Sequence, residues 1–311
     1  MLLLVPETKC IRSRKSNRID RAGNRAAIGR ALPQAGETGG LPPQTSFSCV
    51  NSMIKPEKPL SDCHEPPRLA LLACRVFEQE IALHAADAKH IAETRFFEVG
   101  LHDRPDDLRA ALQAALCEME RRDDIEAVVL AYGLCGRGTA GLRPLRHKLV
   151  IPRAHDCVTV FMGSKETYAE HQRRCPTCYF YTPGWNRELR VPGPEQLEAK
   201  RAEFQKKFDP EDVEFLLETE REQWALYDTA TYIDLGTDDA AAQAEYARRC
   251  ADWLGWKFER MRGDPALLRD LLWGNWDSER FQIIEPGSQL GHSPDEAILR
   301  SERVETKTPE P

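Results

Sequence analysis

Three cysteines stand where short apolar segments of the sequence end. Cys74 closes the run LALLAC, Cys135 lies in AYGLCGRG after the run IEAVVL, and Cys157 follows LVIPRAHD. Thiolate sulfur is a ligand for zinc and for iron–sulfur clusters. A protonated cysteine is also a common small core residue. Three cysteines at equivalent places favour a metal site that all three share.

The residues beside these cysteines are suited to complete such a site. His155 and Asp156 directly precede Cys157, and we expect them to shuttle a proton or to orient a ligand. Three glycines surround Cys135 and let a ligand or another loop approach the backbone closely. Three thiolates, with or without His155, would hold zinc with one open position or three corners of an iron–sulfur cluster.

Four further residues are candidates for binding a small-molecule substrate. Arg137 and Arg153 flank the cysteine loops. They would either bind a carboxylate or phosphate or neutralise thiolates. The alternative is that both are ordinary surface residues. Tyr181 and Trp185 belong to the segment YFYTPGW. Aromatic side chains there either wall a pocket for a flat or methylated ligand or pack in the core beside a turn.

The segment CPTC supplies a second pair of cysteines, Cys175 and Cys178. This spacing is found in half of a zinc knuckle and in redox-active pairs. The pair therefore contributes ligands to the first site, binds a separate structural ion, forms a redox couple, or consists of two incidental thiols.

Apolar runs that alternate with amphipathic segments predict an α/β fold with a mainly parallel sheet flanked by helices. Ligands of such sheets bind at the carboxyl ends of the strands, where the three cysteines would meet if their strands are neighbours. The predicted strands are at 68–76, 94–101, 125–135, 149–151, 229–236, 257–264 and 281–288. An amphipathic helix is predicted at 104–123, with Leu108, Leu112, Leu116 and Met119 on its apolar face.

The same rhythm recurs after residue 225 and predicts two similar α/β lobes. Residues 1–52 carry eight Lys and Arg against three acids and have no hydrophobic period, so we expect a disordered leader whose removal leaves thermal stability unchanged. Met53 is then a candidate for the true start. The predicted organisation is a disordered extension at 1–65, a first lobe with the cysteine cluster at 66–190, a charged helical connector at 191–224, a second lobe at 225–290 and a disordered tail at 291–311.

Composition excludes several classes of protein. The net charge of −7 argues against a general nucleic-acid binder, and no apolar run approaches the length of a membrane span. The ten cysteines come without a secretion signal, so we expect reduced thiols and a cytoplasmic location. The sequence also lacks the phosphate-binding glycine loops, the nucleophile elbow and the HExxH pair.

The segments LLACRVFEQEI, LAYGLCGRGTAGL, IPRAHDCVTVFMGSKETY and YFYTPGW together resemble the domain-of-unknown-function family 1638 (DUF1638) of bacteria and archaea. The resemblance runs from about Arg68 to Pro286 and includes the three strand-end cysteines with His155 and Asp156. It implies a link to corrinoid-dependent methyl transfer, with a corrinoid protein or a methyltransferase as partner, and no settled activity. The CPTC pair is where this sequence departs from the family pattern.

The leading functional hypothesis is a metal-binding enzyme or accessory protein in methyl or one-carbon metabolism, with Cys74, Cys135 and Cys157 as ligands. One alternative is an iron–sulfur protein that passes single electrons, for instance to reactivate a corrinoid partner. Another is a non-catalytic small-molecule binding module whose cysteines are core residues.

Overall fold

A computed structural model describes residues 65–304 of the chain. The predicted leader at 1–52, the candidate start at Met53 and the end of the predicted tail lie outside these residues. Within the described range, no helix is long and apolar enough to cross a membrane.

The first sheet has five strands in the order β2-β1-β3-β4-β8. The first four are parallel, and β8 runs antiparallel to β4. β1 and β3 are buried along their whole length, as expected for strands that are covered on both faces. The sheet confirms the predicted α/β class. Its strands are β1 (Leu69–Cys74), β2 (Ile91–Phe97), β3 (Ala127–Ala131), β4 (Lys148–Pro152) and β8 (Phe281–Ile284).

A second, smaller sheet has three parallel strands, β5 (Cys178–Tyr181), β6 (Thr229–Asp234) and β7 (Lys257–Arg262). β5 precedes the predicted lobe boundary at residue 190, yet it pairs with β6. β8 follows the second sheet in the chain and returns to the first. Cys178, Phe180 and Ile233 share a core with the first sheet. The two sheets are thus interleaved in sequence, and the division into separate lobes stays a prediction.

Helices cover the sheets and connect the strands. The predicted apolar face of the second helix is confirmed, because its four named residues are at most 1% exposed. Ser164 caps the fourth helix by accepting a hydrogen bond from the amide of Thr167. The helices are α1 (Glu78–His84), α2 (Pro105–Met119), α3 (Cys157–Phe161), α4 (Lys165–Arg174), α5 (Pro183–Arg187), α6 (Pro194–Phe204), α7 (Pro210–Trp224), α8 (Ala240–Leu254) and α9 (Ala266–Trp273).

Residues 288–303 contain the hairpin of β9 (Ser288–His292) and β10 (Leu299–Arg303). The prediction of a disordered tail from residue 291 was wrong for this segment. Leu290 and Leu299 are buried, and Leu290 exchanges backbone hydrogen bonds with Gly141 and Leu142. That pairing with a distant loop orders a segment whose composition is mostly polar.

Candidate functional site

The three cysteines lie at one edge of the first sheet. β1, β3 and β4 are neighbouring parallel strands, so their carboxyl ends point the same way. Cys74 is the last residue of β1, Cys135 lies in the loop after β3, and Cys157 begins α3 after β4. All three side chains are buried, with at most 5% of each exposed.

Backbone hydrogen bonds hold the loop of Cys135 against the loop of Cys157. The amide of Leu134 donates to the carbonyl of Ala154, and the amide of Cys135 donates to the carbonyl of His155, both at 2.9 Å. These bonds continue the β3–β4 pairing beyond the ends of the strands. They fix the distance between the two loops before any side chain is considered.

Gly133 makes this close approach possible. A Cβ atom at residue 133 would lie 2.7 Å from the backbone nitrogen of Asp156 and 2.9 Å from the carbonyl oxygen of Ala154. Any side chain would therefore push the two loops apart. This is the physical reason for a glycine directly before the cysteine segment.

The turn at Cys135 is left-handed over three consecutive residues. The φ angles are 46° at Cys135, 63° at Gly136 and 72° at Arg137. Glycine adopts this conformation freely, whereas a cysteine or arginine there is strained by about 1 kcal/mol or more. Strain of this kind persists where surrounding contacts determine the backbone, and here the amide of Cys135 is one such contact.

The three thiols meet in the space between the strand ends. The thiol of Cys157 lies beside those of Cys135 and Cys74, and its interactions with them, together with burial, raise the pKa of Cys157 well above its ordinary value. The contact with Cys157 lowers the pKa of Cys74. The protonation of the two thiols is therefore mutually dependent.

Tyr132 belongs to this cluster and was not predicted from the sequence. Its side chain is 2% exposed, and its hydroxyl has no partner of hydrogen-bonding geometry among the described residues. Burial and the charges of the three neighbouring cysteines raise its pKa. Its position in the sequence could have identified it. Tyr132 directly follows β3, and Cys74 occupies the corresponding place at the end of β1.

His155 and Asp156 lie at the entrance to α3 and are half-buried. The carboxylate of Asp156 accepts hydrogen bonds from the amide and the hydroxyl of Thr159, at 3.1 and 3.2 Å, so it caps the helix. Burial raises the pKa of Asp156 and lowers the pKa of His155. A role of either residue in proton transfer stays a prediction.

The two arginines that flank the loops have different surroundings. The guanidinium of Arg153 donates to the carbonyls of Ser278, Ala297 and Leu299 at 3.0, 2.9 and 2.6 Å. These bonds anchor the strand β10 and use Nε and Nη1 of the guanidinium. Arg137 is exposed. Of the two, Arg137 is therefore the one whose side chain faces solvent beside the cysteine loop.

Arg137 lines a broad surface groove of about 850 Å³. The groove runs between α2, the segment 140–145 and the hairpin β9–β10. Its lining includes one carboxylate, from Glu302, against several cationic or ionisable basic side chains, from Arg109, Arg137, Arg143, His292 and Arg300. An excess of arginine favours anionic ligands on this surface.

Tyr181 and Trp185 are packed against other residues of the protein. Tyr181 is fully buried in the second sheet, and its hydroxyl donates to the carbonyl of Pro192 at 2.7 Å. Trp185 packs edge-on against Phe161, with 6.1 Å between the ring centroids. Neither residue lines the groove beside Arg137. Contact of these two side chains with a substrate stays a prediction.

The spacing of the thiols is not yet that of metal ligands. Between residues 65 and 304, no group of three or more His, Cys, Asp or Glu side chains is arranged to hold an ion as it stands. The donor set nevertheless fits zinc or an iron–sulfur cluster chemically, because all three sulfurs come from thiols that face one another. Binding would replace the contacts between thiols by sulfur–metal bonds.

A family model described as "Protein of unknown function (DUF1638)" matches residues 96–272, which is more than half of the chain. The match includes Cys135, Cys157 and the CPTC pair and begins after Cys74. No curated protein and no solved structure matches the chain.

Proposed function

This chain belongs to the DUF1638 family of proteins of unknown function, and from that premise we propose that it is a metal-binding protein. Cys74, Cys135 and Cys157 hold zinc or an iron–sulfur cluster with one position open. The observation that carries the proposal is the meeting of three buried thiols, from the ends of three neighbouring strands, beside the hydroxyl of Tyr132.

A purely structural role explains this cluster less well. The hydroxyl of Tyr132 lies buried beside the thiol of Cys74, where phenylalanine would fill the same space without a polar group. Cys135 also lies in a strained left-handed turn that a packing residue does not need. Both features are expected of a site whose side chains serve a ligand.

The residues of the chain have distinct tasks in this proposal. Bound zinc would supply Lewis acidity that favours the thiolate form of a substrate thiol. The contact with Cys157 lowers the pKa of Cys74, which favours the thiolate form that a metal ligand needs. His155, whose pKa is lowered by burial, is neutral near pH 7 and suited to accept a proton. Arg137 and the arginine-rich groove would attract an anionic small-molecule substrate.

The role in metabolism rests on the family. We place the protein in methyl or one-carbon metabolism, as an enzyme or an accessory protein with a corrinoid protein or a methyltransferase as its partner. The same three ligands also suit an iron–sulfur protein that passes electrons to a corrinoid partner, and their burial favours a cluster as much as a single ion. The contrasting function is a binding module with cysteines in its core.

Elemental analysis after anaerobic purification tests the proposal. We expect bound metal in the native chain and its loss in each of Cys74→Ser, Cys135→Ser and Cys157→Ser, because two thiols do not retain the ion. Cys117→Ser and Cys250→Ser are matched controls that keep the metal at a cost of about 1–2 kcal/mol in stability. Cys175→Ser and Cys178→Ser are expected to keep it as well. A brown sample indicates a cluster, and a colourless zinc-loaded one indicates a single ion.

Less than about a tenth of an equivalent of metal in the native chain would favour the binding module instead. Full metal in the three strand-end variants, together with loss in the CPTC variants, would place the site at the other cysteine pair.

A further inference from the structure

Cys175 and Cys178 face each other across a tight turn. Cys175 follows α4, and Cys178 begins β5. The amide of Cys178 donates to the carbonyl of Cys175 at 3.4 Å, which closes a four-residue turn around Pro176 and Thr177. Such a turn keeps its outer Cα atoms within about 7 Å of each other. Disulfides span Cα separations of about 4.4–6.8 Å, so little backbone movement is needed to join the two sulfurs.

The two thiols differ in exposure. Cys178 is 4% exposed, whereas Cys175 is partly exposed. The guanidinium of Arg174 lies close enough to both thiols to interact with their charges. An exposed thiol beside a cation and a buried thiol behind it form an asymmetric pair, in which only the first is open to an external molecule.

A buried imidazole stands behind the inner thiol. Nδ1 of His171, which is 4% exposed, lies 3.7 Å from the sulfur of Cys178. Nε2 of His171 lies 3.4 Å from Oε2 of Glu259, and the guanidinium of Arg174 holds the other oxygen of Glu259 at 2.5 Å. A thiol, an imidazole and a carboxylate thus follow one another in the order of groups that remove a proton from a nucleophile, with Nε2 of His171 near Glu259 but outside hydrogen-bonding geometry.

The protonation states agree with this arrangement. Burial, together with the charge of Cys175, raises the pKa of Cys178 to about 12, so that this thiol needs a base before it reacts. Burial also lowers the pKa of His171, which leaves its imidazole neutral and able to accept that proton.

We propose that Cys175 and Cys178 form a reversible disulfide by exchange with a small disulfide such as glutathione disulfide. Cys175 attacks one sulfur of the small disulfide, whose S–S bond breaks, and the first small thiol leaves with the proton of Cys175. Cys178 then gives its proton to His171 and attacks the sulfur of Cys175, and the second small thiol leaves with that proton. Two protein thiols are oxidised, and one small disulfide is reduced to two thiols.

This redox site shares no residue with the proposed metal centre, so each proposal stands or fails alone. Arg174, Glu259 and Thr231 surround the inner half of the pair; the hydroxyl of Thr231 contacts Oε2 of Glu259 at 3.4 Å. A cation bound by the same thiols and His171 is the competing possibility, and the experiment below separates the two.

The test uses the full chain, reduced and freed of reductant, and then treated with glutathione disulfide. Peptide mass mapping is expected to show residues 175 and 178 joined, with the loss of two hydrogen atoms. In Cys178→Ser, Cys175 should retain a mixed disulfide with glutathione, because the closing thiol is absent. In Cys175→Ser, Cys178 should remain a free thiol, because it is buried. Cys250→Ser, which removes another buried cysteine, should form the disulfide normally.

The His171→Gln variant tests the role of the imidazole. We expect closure of the mixed disulfide to slow by about tenfold or more at neutral pH, and to recover as the pH rises and hydroxide replaces the base. The Cys178→Ser trap does not depend on this variant folding.

Three outcomes would overturn the proposal. They are two free thiols in the treated native chain, an adduct on Cys178 in Cys175→Ser, and a metal ion in the native chain that Cys178→Ser loses. The metal content assigned to Cys74, Cys135 and Cys157 is expected to be the same in Cys175→Ser as in the native chain.

Discussion

Glu80 is a carboxyl group in a place that disfavours its charge. It is 1% exposed in α1, and neither of its oxygens has a hydrogen-bond partner within residues 65–304. The nearest charges are those of Arg187 and Asp239, which pair with each other at 2.8 Å. Burial raises the pKa of Glu80 from an ordinary value of 4.5 to about 7. Near neutral pH the protonation of Glu80 therefore differs between the folded and the unfolded chain.

We expect Glu80 to make the protein less stable as the pH rises. Its folded-state pKa is the higher one, so between about pH 4.5 and 7 the folded chain holds a proton that the unfolded chain has lost, and stability falls progressively across that interval. The gap corresponds to about 3 kcal/mol above pH 7. Glu80→Gln should therefore be more stable than the native chain near pH 8 and nearly equal to it near pH 5, as measured by urea unfolding.

Glu78→Gln is the matched control, because Glu78 lies in the same helix and is exposed. It should change stability by less than about 0.5 kcal/mol at either pH. Since other groups also titrate, the difference between the native chain and Glu80→Gln is the informative quantity. A difference that does not grow with pH would contradict the assignment.

At the same scale, the sequence predicted the positions of the three strand-end cysteines better than the surroundings of the residues beside them. The convergence of Cys74, Cys135 and Cys157 follows from their places at strand ends, which local patterns reveal. The hydrogen bonds of the Arg153 guanidinium depend on carbonyls more than 120 residues away in the sequence. The unpartnered hydroxyl of Tyr132 depends on what surrounds it in space. Neither property is encoded in a local motif.

Among the elements, buried strands and amphipathic helices were predictable, and strands defined by distant pairing were not. β1, β3 and α2 carry continuous or periodic apolar residues. β5 has four residues, and the hairpin β9–β10 is largely polar. These short strands exist because backbone groups from remote segments complete their hydrogen bonds, which composition does not report.

The contact between the β3 and β4 loops yields a prediction for Gly133→Ala. The added methyl group would meet the backbone of Asp156 at 2.7 Å, so the loops must separate. We expect unfolding free energy to fall by about 1–3 kcal/mol. In the native chain Cys135 and Cys157 are only 5% and 3% exposed. We expect the separation of the loops to expose their thiols to a thiol reagent.

Gly136→Ala is the control for the strain of an alanine in this turn. Gly136 has φ of 63° and no atom within 4 Å of an added Cβ, so this variant should lose about 1–2 kcal/mol without exposing the thiols. We expect the two variants to lose similar amounts of unfolding free energy but to differ in the reactivity of their thiols. Equal reactivity in both would show that the close loop contact does not protect the cysteines.

Across the whole described range, the order of the chain and the order of the sheets do not coincide. The chain builds four strands of the first sheet, continues through the second sheet, and then returns with α9 and β8. α9 packs on β3 and β4, and β8 pairs with β4. The first sheet is thus completed by residues that follow the whole second sheet in the chain.

We therefore expect a fragment of residues 66–190 not to fold alone. It lacks six side chains that are at most 2% exposed in the first-sheet core, namely those of Leu267, Leu268, Leu271, Leu272, Phe281 and Ile284. Each contributes about 1.5–3 kcal/mol when buried, so the loss is about 10 kcal/mol or more. The whole stability of a protein is about 5–15 kcal/mol.

Circular dichroism during urea unfolding measures this expectation. The fragment should show no cooperative transition, whereas the full chain should unfold in one transition that tryptophan fluorescence follows at the same urea concentration. A chain that starts at Met53 is the control. Because the composition of residues 1–52 predicts a disordered leader, this chain should unfold at the same urea concentration as the full chain. A cooperative transition in the fragment would instead support two lobes that fold separately, because α9 and β8 would then be dispensable for the sheet that carries the three cysteines.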